Sequence, residues 1–189
     1  MDLHNKGFSH LGATDETKND YIQAKADHLT GAFIYLDFPS VGATENIMMA
    51  AAMAEDLTTI ENVAKEPEIV DLANLLNSAG AKVRGAGTDI IKIEGVPELR
   101  TPHHTIIPDR IEAGTFLAAA AMTGSNLKLE NVISAHLNPV IAKMRESGVI
   151  VRPNGSDIYV KGPNELKAVN VKTLAHPGFP TDMQPQIMS

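Results

Sequence analysis

The stretch LTTIENV at Leu57–Val63 and the stretch NLKLENV at Asn126–Val132 are two versions of one pattern, placed 69 residues apart. The alanine-rich runs that precede them, Ala50–Met53 and Ala119–Met122, have the same spacing. Farther along the chain, two pairs of glycines are 68 residues apart, Gly80 with Gly148 and Gly87 with Gly155. Matched landmarks in one order and at a nearly constant spacing predict an internal structural repeat.

Each copy of the repeat is predicted to fold as a βαβαββ unit. In the first copy, Pro67 suits the first turn of a helix and Gly80 suits a helix end. The predicted strands and helices of this copy are Phe33–Leu36, Thr44–Glu55, Thr58–Val63, Pro67–Ala79, Lys82–Arg84 and Ile90–Glu94. Those of the second copy are His104–Ile107, Ile111–Met122, Leu127–Val132, Leu137–Ser147, Val149–Arg152 and Asp157–Lys161.

Partial copies are predicted at both ends of the chain. Residues 2–25 have the pattern of the back half of a unit, with a helix Leu3–Leu11, a stop at Gly12 and a strand Tyr21–Lys25. Residues 167–189 have the pattern of a front half, with a strand Ala168–Lys172 and a helix that begins after Pro180. Since domain boundaries normally fall in linkers, we expect a segment of a longer protein, truncated at both ends. The strand edges and helix faces of such half-units predict self-association.

The strands alternate apolar and charged residues, as in Ile91-Lys92-Ile93-Glu94 and Leu127-Lys128-Leu129-Glu130. Each sheet is therefore expected to have one buried face and one face in water, with helices on one side only. The helices Thr44–Glu55 and Ile111–Met122 carry almost no charge after their first turn, which predicts burial on most sides. The predicted fold class is α/β, built from repeated βαβαββ units with helices inside and sheets outside.

Composition excludes several classes of function. The 189 residues are 43% hydrophobic and 21% charged, as in folded globular proteins, and the formal net charge is −7. That negative balance argues against nucleic acids and anionic membranes as partners. The chain has no cysteine, and no apolar run approaches the roughly 20 residues of a membrane span. We expect a soluble protein of the cytoplasm.

No motif for a metal or a cofactor stands out. The chain has no Gly-x-Gly-x-x-Gly after a strand and no P-loop, so a dinucleotide cofactor is not predicted. His103 and His104 are neighbours in or beside a predicted strand, where adjacent side chains point to opposite faces. A metal ion shared by these two histidines is therefore not expected, and we predict neither a metal nor a cofactor.

A strand-to-helix junction occurs three times, with different polar residues each time. The three copies are Ser40–Asn46, Pro108–Glu112 and Phe179–Gln184. Free N–H groups at a helix start favour anions, so phosphates or catalytic carboxylates could lie there. The alternative is ordinary capping, in which Thr44 and Thr181 are N-caps and the acidic residues Glu45, Glu112 and Asp182 suit first turns.

Four long stretches closely resemble the UDP-N-acetylglucosamine 1-carboxyvinyltransferase family, the enolpyruvyl transferases that open peptidoglycan precursor synthesis. They are LDFPSVGATENIMMAA at Leu36–Ala51, ENVAKEPEIVDLANLL at Glu61–Leu76, IIPDRIEAGTFLAAAA at Ile106–Ala121 and HPGFPTDMQPQ at His176–Gln186. The resemblance implies an inside-out α/β fold of the EPSP synthase type, with two domains of three βαβαββ units and an active site between them. Residues 1–107 would belong to the continuous domain and residues 108–189 to the return half of the other.

The same resemblance assigns roles to individual residues. Phe38, Pro39, Ser40 and Val41 would line the uridine-nucleotide pocket, with the N–H groups from Ser40 to Gly42 facing the diphosphate. Asp2 and Leu3 match the end of a nucleotide-contacting segment. Asp182, in the PTDMQ stretch, matches the aspartate that takes the proton from the sugar 3-hydroxyl when it adds to phosphoenolpyruvate, and Thr181 beside it would contact the substrate. Arg110 matches an arginine with a supporting role, such as pairing with nearby carboxylates.

Other functional parts of the family have no counterpart in these 189 residues. The family's Lys-Asn pair, the loop that carries its general acid and the arginine that closes that loop would all precede residue 1. A C-terminal arginine that contacts phosphoenolpyruvate would follow residue 189. We therefore expect negligible activity from this chain alone. The alternatives are a noncatalytic remnant that binds only the nucleotide sugar, a chain that needs a complementing polypeptide, or a phosphate-binding structural module.

Overall fold

The computed structural model of the protein describes residues 2–18 and 21–189, with the side chain of Thr17 left out of the description. The chain divides into two compact units, and the division falls between Ile106 and Ile107. It lies one residue before the predicted boundary. Unit 1 precedes this point, and unit 2 is Ile107–Ser189.

Unit 1 contains three helices, a hairpin and a four-stranded sheet in its described residues. In chain order its elements are α1 (Asp2–His10), β1 (Thr14–Lys18), β2 (Tyr21–Lys25), β3 (Phe33–Tyr35), α2 (Val41–Ala51), β4 (Leu57–Glu61), α3 (Pro67–Ser78), β5 (Lys82–Arg84) and β6 (Ile90–Glu94). The hairpin pairs β1 with β2, and the sheet has the order β3-β4-β6-β5. Its β3 and β4 are parallel, and its other pairs are antiparallel.

Unit 2 contains an antiparallel sheet of three strands and the helices that pack with it. Its elements are α4 (Arg110–Thr123), β7 (Asn126–Leu129), a 3₁₀ turn (Ser134–Leu137), α5 (Asn138–Glu146), β8 (Ile150–Asn154), β9 (Asp157–Lys161), a second 3₁₀ turn (Thr181–Met183) and α6 (Gln184–Met188). The sheet order is β7-β9-β8. In it, β7 has one sheet edge that no other described strand pairs with.

The backbone confirms the repeat. Helices α2 and α4 begin 69 residues apart, at Val41 and Arg110. Asn62 and Asn131 have the same separation and share a left-handed conformation, with φ of 57° and 56°. The glycines that follow α1, α3 and α5 also share one, with φ of 95° at Gly12, 102° at Gly80 and 96° at Gly148. Such angles are readily available to glycine, so these turns are set by the main chain.

Each sheet buries one face against helices, as predicted. In unit 1, Ile34, Ile60 and Ile91 are adjacent on neighbouring strands and are fully buried in a core that includes residues of α1, α2 and α3. Lys92 and Glu94 point to the opposite, exposed face. Unit 2 has a core of its own, formed by α4, α5 and the inner face of its sheet.

Two predicted strands, His104–Ile107 and Ala168–Lys172, are wrong, because both segments are irregular. Neither segment pairs with a described strand, although β7 has an open edge, and a short apolar run without main-chain hydrogen bonds to a neighbour is not a strand. The first segment is instead held to α3 of unit 1, where His104 Nε2 lies 2.9 Å from Asp71 Oδ1. Near the second, the isolated bridge joins Thr173 to Phe179.

Candidate functional site

Helix α2 begins directly after the predicted nucleotide loop. Ser40 is its N-cap, since the Ser40 Oγ accepts a hydrogen bond from the N–H of Ala43 at 3.4 Å. The prediction of Thr44 as the N-cap is therefore wrong: Thr44 lies one turn inside the helix, with its hydroxyl donating to the carbonyl oxygen of Ser40 at 2.7 Å. The helix starts three residues before the predicted position, which places Val41 and Gly42 in its first turn.

The start of α2 offers unused hydrogen-bond donors. The N–H groups of Val41 and Gly42 have no acceptor among the described residues, as expected for the first turn of a helix. Phe38 and Pro39, just before this turn, are exposed, and Phe38 is 59% exposed. The arrangement joins an exposed ring to free main-chain donors, which suits an aromatic base followed by an anionic phosphate.

Helix α1 packs beside this loop and forms an ion pair with it. Lys6 Nζ lies 3.0 Å from Asp37 Oδ2, one residue before Phe38. His4 lies against Gly42, where a side-chain Cβ would come within 3.3 Å of the His4 Nε2. Sequence reasoning missed both residues, because their proximity to the loop depends on how α1 packs on α2.

The two other predicted nucleotide contacts, Asp2 and Leu3, differ in their exposure. Asp2 is exposed in the first turn of α1. Leu3 is 8% exposed and belongs to the core of unit 1. Its side chain therefore stabilises the position of α1, and any contact between Leu3 and a ligand would come from its backbone.

Asp182 lies in unit 2, in the 3₁₀ turn that follows Pro180. This turn is held by core residues on both sides, because Phe179 and Met183 are buried. Thr181 and Asp182 between them are exposed, and the Asp182 carboxylate makes no hydrogen bond or ion pair with the described residues. The result is a carboxylate held on a fixed backbone and available to a ligand. The N-cap of the turn is Pro180, so the prediction of Thr181 in that role is wrong.

The third junction, at the start of α4, is a helix cap. Asp109 Oδ1 accepts hydrogen bonds from the N–H of Ile111 at 2.7 Å and from that of Glu112 at 3.2 Å. Arg110 is the first residue of α4 and is 8% exposed. A guanidinium so buried needs polar partners, and the supporting role of Arg110 stays a prediction.

A group of carboxylates surrounds Glu45 on α2. Partial burial, followed by the negative charges of Glu68 and Glu66, raises the pKa of Glu45 above its ordinary value. Glu66 and Glu68 flank Pro67 at the start of α3, next to the loop that follows β4. Sequence reasoning did not place these two glutamates beside Glu45, because that proximity arises from the packing of α2 on α3.

We expect Glu45→Gln to raise the thermal unfolding midpoint at pH 7. A carboxyl whose pKa is raised by folding binds its proton more tightly in the folded state, so its ionised form destabilises the fold above the ordinary pKa of glutamate. The gain should disappear as the pH falls below about 4, where the carboxyl is protonated in both states. Thermal melts of both proteins at pH 7 and pH 4 measure this. An equal midpoint at pH 7, or the same gain at both pH values, would contradict it.

No group of three or more histidine, aspartate or glutamate side chains in residues 2–18 and 21–189 is arranged to hold a metal ion. No helix of that part of the chain is long and apolar enough to cross a membrane.

The profile of the family described as EPSP synthase (3-phosphoshikimate 1-carboxyvinyltransferase) matches residues 1–189. The chain therefore belongs to this family of carboxyvinyl, or enolpyruvyl, transferases. Two curated relatives carry the name UDP-N-acetylglucosamine 1-carboxyvinyltransferase 1. The one from Caldanaerobacter subterraneus subsp. tengcongensis is 60% identical over 189 residues, which are 100% of this chain and 46% of the relative. The one from Halalkalibacterium halodurans is 60% identical over 190 residues, 100% of this chain and 43% of the relative. The chain thus spans less than half the length of these relatives.

Solved structures agree with the predicted fold class. The enolpyruvyl transferase NikO from Streptomyces tendae is 23% identical with a TM-score of 0.86, covering 98% of this chain and 47% of that one. The EPSP synthase from Acinetobacter baumannii is 24% identical with a TM-score of 0.64, covering 89% of this chain and 41% of that one. At these identities the likeness shows the fold, and the α/β fold of the EPSP synthase type is confirmed.

Proposed function

We propose that this chain takes part in the transfer of the enolpyruvyl group of phosphoenolpyruvate to the 3-hydroxyl of UDP-N-acetylglucosamine, with release of phosphate. The observation that carries the proposal is the start of α2, where free N–H groups follow an exposed Phe38 in a chain 60% identical to transferases named for this reaction. The reaction would occur in the cytoplasm and would supply a peptidoglycan precursor. No cofactor is part of the proposal.

In this proposal unit 1 binds the nucleotide. The exposed ring of Phe38 and the adjacent Pro39 would contact the uridine, and the N–H groups of Val41 and Gly42 would donate to the diphosphate. The N-cap Ser40 is neutral, so it does not repel an anion at the helix start. Lys6 of the same unit forms an ion pair with Asp37, next to Phe38.

Unit 2 would supply the base. The Asp182 carboxylate takes the proton from the sugar 3-hydroxyl while the oxygen bonds to carbon 2 of phosphoenolpyruvate and carbon 3 gains a proton. Loss of a proton from carbon 3 and departure of phosphate then restore the double bond. A carboxylate that makes no hydrogen bond or ion pair with the described residues, on a turn fixed by Phe179 and Met183, suits this role.

A chimeric enzyme tests the proposal. The 189 residues replace the matching segment of the Caldanaerobacter relative, and phosphate release is measured with UDP-N-acetylglucosamine and phosphoenolpyruvate. We expect turnover within about ten-fold of the intact relative, and negligible turnover by the 189-residue chain alone. A folded chimera with no turnover would contradict the proposal. Turnover by the chain alone near that of the intact relative would contradict the second expectation.

A second candidate function is binding of the nucleotide sugar without turnover. It is favoured by the share of the relatives that the chain spans, 46% and 43%. Such a chain would bind UDP-N-acetylglucosamine, with or without a complementing polypeptide, but would release no phosphate. Calorimetry with UDP-N-acetylglucosamine and the 189-residue chain distinguishes binding from inertness. Phosphate release by the chain alone would exclude this candidate.

Self-association is also part of the proposal, and it makes a prediction of its own. On α4, Phe116 is 49% exposed, whereas Ile47, at the same position of α2, is buried beneath Gly7 of α1. The exposed Phe116 ring and the open edge of β7 both favour association with other chains. We expect concentration-dependent oligomers in sedimentation velocity, reduced by Phe116→Glu. A monomer across the concentration range would contradict this.

A further inference from the structure

One loop of unit 1 holds both ends of the segment 37–43. This loop, Asn62–Glu66, connects β4 to α3. Before the segment, the Asn62 side-chain amide donates to the carbonyl oxygen of Leu36 at 2.7 Å. After it, the Ala64 N–H donates to the Thr44 hydroxyl oxygen at 3.2 Å. The nucleotide loop of the proposed function is therefore fixed at its entry and at its exit by neighbouring residues of a single loop.

The Thr44 side of this contact is completely buried. Thr44 has no exposed surface, and its hydroxyl also donates to the carbonyl oxygen of Ser40 at 2.7 Å. A buried hydroxyl is favourable only when it is hydrogen-bonded, and this one both donates and accepts. The hydroxyl thereby joins the first turn of α2 to the backbone of the loop.

Unit 2 builds the same helix start without these contacts. Ala113 stands at the position of Thr44, and α4 begins at the same point of the repeat as α2. Asn131 has the left-handed backbone of Asn62, but its side-chain amide makes no hydrogen bond with the described residues. Helix α4 thus begins without a threonine at this position and without a bonded asparagine, and the segment before it is irregular, whereas β3 leads into α2. The two contacts occur only in the unit in which the segment before the helix start follows a strand.

We infer that Thr44 and Asn62 are positioning residues for a nucleotide diphosphate bound at the start of α2. This inference rests on the proposed function. The two contacts hold the N–H groups of Val41 and Gly42 in one direction before the ligand arrives. Donors that are already ordered bind an anion more tightly, because little conformational entropy is lost on binding. Neither residue needs to touch the ligand.

Paired valine substitutions in the 189-residue chain test the role of Thr44. Thr58 is also completely buried, but its hydroxyl has no hydrogen-bond partner among the described residues. Thr44→Val should weaken binding of UDP-N-acetylglucosamine by about five-fold or more in calorimetry. It should also speed amide exchange at Ala64 and at residues 41–43. Thr58→Val should change neither, and Thr44→Ser should bring the affinity back to within two-fold of the original chain.

Paired glycine substitutions test Asn62 in the same way. Glycine accepts the left-handed backbone at both asparagines, so Asn62→Gly and Asn131→Gly remove a side chain without backbone strain. Only Asn62→Gly should weaken binding of UDP-N-acetylglucosamine, again by a few-fold. UMP lacks the second phosphate. Thr44→Val and Asn62→Gly should therefore weaken the binding of UMP less than they weaken the binding of UDP-N-acetylglucosamine.

The outcomes separate this inference from the proposed function. If the original chain binds UDP-N-acetylglucosamine, and Thr44→Val and Asn62→Gly each change that affinity by less than two-fold, the inference alone is overturned. Equal losses in Thr58→Val or Asn131→Gly also overturn it, because the effect would then follow from altered packing. A chain that binds no UDP-N-acetylglucosamine at millimolar concentration overturns the proposed binding and the assigned ligand together. In that case, faster exchange at residues 41–43 in Thr44→Val would still support the anchoring.

Discussion

Gly95→Ala is expected to destabilise the protein by about 3 kcal/mol, one of the largest effects of any single methyl group in this chain. Gly95 follows β6 and lies against the connection between α2 and β4. Its N–H donates there to the carbonyl oxygen of Asp56 at 3.1 Å. A Cβ on Gly95 would overlap the carbonyl oxygen of Ala54 and lie 2.7 Å from its carbonyl carbon. Because these atoms are backbone, the clash cannot be relieved by turning a side chain. Chemical denaturation measures the loss.

The control for Gly95→Ala is Gly80→Ala, where an added Cβ causes backbone strain but no steric overlap. At Gly80 a Cβ meets nothing within 4 Å, but φ is 102°. Its substitution should cost about 1 kcal/mol, the penalty for a left-handed conformation. The repeat also predicts a large effect for Gly162→Ala, because a Cβ there would overlap the carbonyl oxygen of Ala120. A smaller loss at Gly95 than at Gly80 would contradict the steric argument.

Asp182→Asn is expected to lower kcat of the chimeric transferase by about 10²–10⁴-fold, the usual contribution of a general base. An asparagine keeps the size of the side chain and cannot accept the proton of the 3-hydroxyl. The 3₁₀ turn should keep its conformation, because Phe179 and Met183 hold it in the core. Binding of UDP-N-acetylglucosamine should change by less than about three-fold, so the effect appears in kcat.

The control for Asp182 is Asp109→Asn, at the start of α4. Asp109 Oδ1 accepts two backbone hydrogen bonds, and an asparagine oxygen can accept both. Its kcat should therefore stay close to that of the unsubstituted chimera. Equal losses of kcat at the two aspartates, or no loss at Asp182, would exclude Asp182 as the base.

Much of the fold could be predicted because the same sequence pattern occurs twice in the chain. The spacing of 69 residues fixed the equivalence of α2 with α4, and both helices lie within a few residues of their predicted ranges. Alternating residues such as Ile91 and Lys92 gave the correct buried face. The two segments that do not form strands, at 104–107 and 168–172, would have to pair with a neighbouring strand, and local sequence does not reveal whether that pairing occurs.

The candidate site was less accessible to sequence reasoning. Ser40 and Thr44 are both good caps by residue type, and the choice between them depended on where the chain leaves β3. The contacts of His4 with Gly42 and of Thr44 with Ala64 join residues far apart in sequence. No local pattern encodes such pairs. The cleft implied by the resemblance to transferases, and the roles of Phe38 and Asp182 in it, remain predictions that the substitutions above address.

The paired asparagines and glycines have the same backbone conformation in both units, whereas the side chains at the helix starts differ. Left-handed turns at Asn62 and Asn131, and at Gly80 and Gly148, recur with nearly equal angles, whereas Thr44 of unit 1 is replaced by Ala113 at the same position of unit 2. A duplicated scaffold that is specified by its main chain leaves helix-start side chains free to diverge. One copy can then acquire a ligand-binding site while the other has none, and both copies keep the same fold.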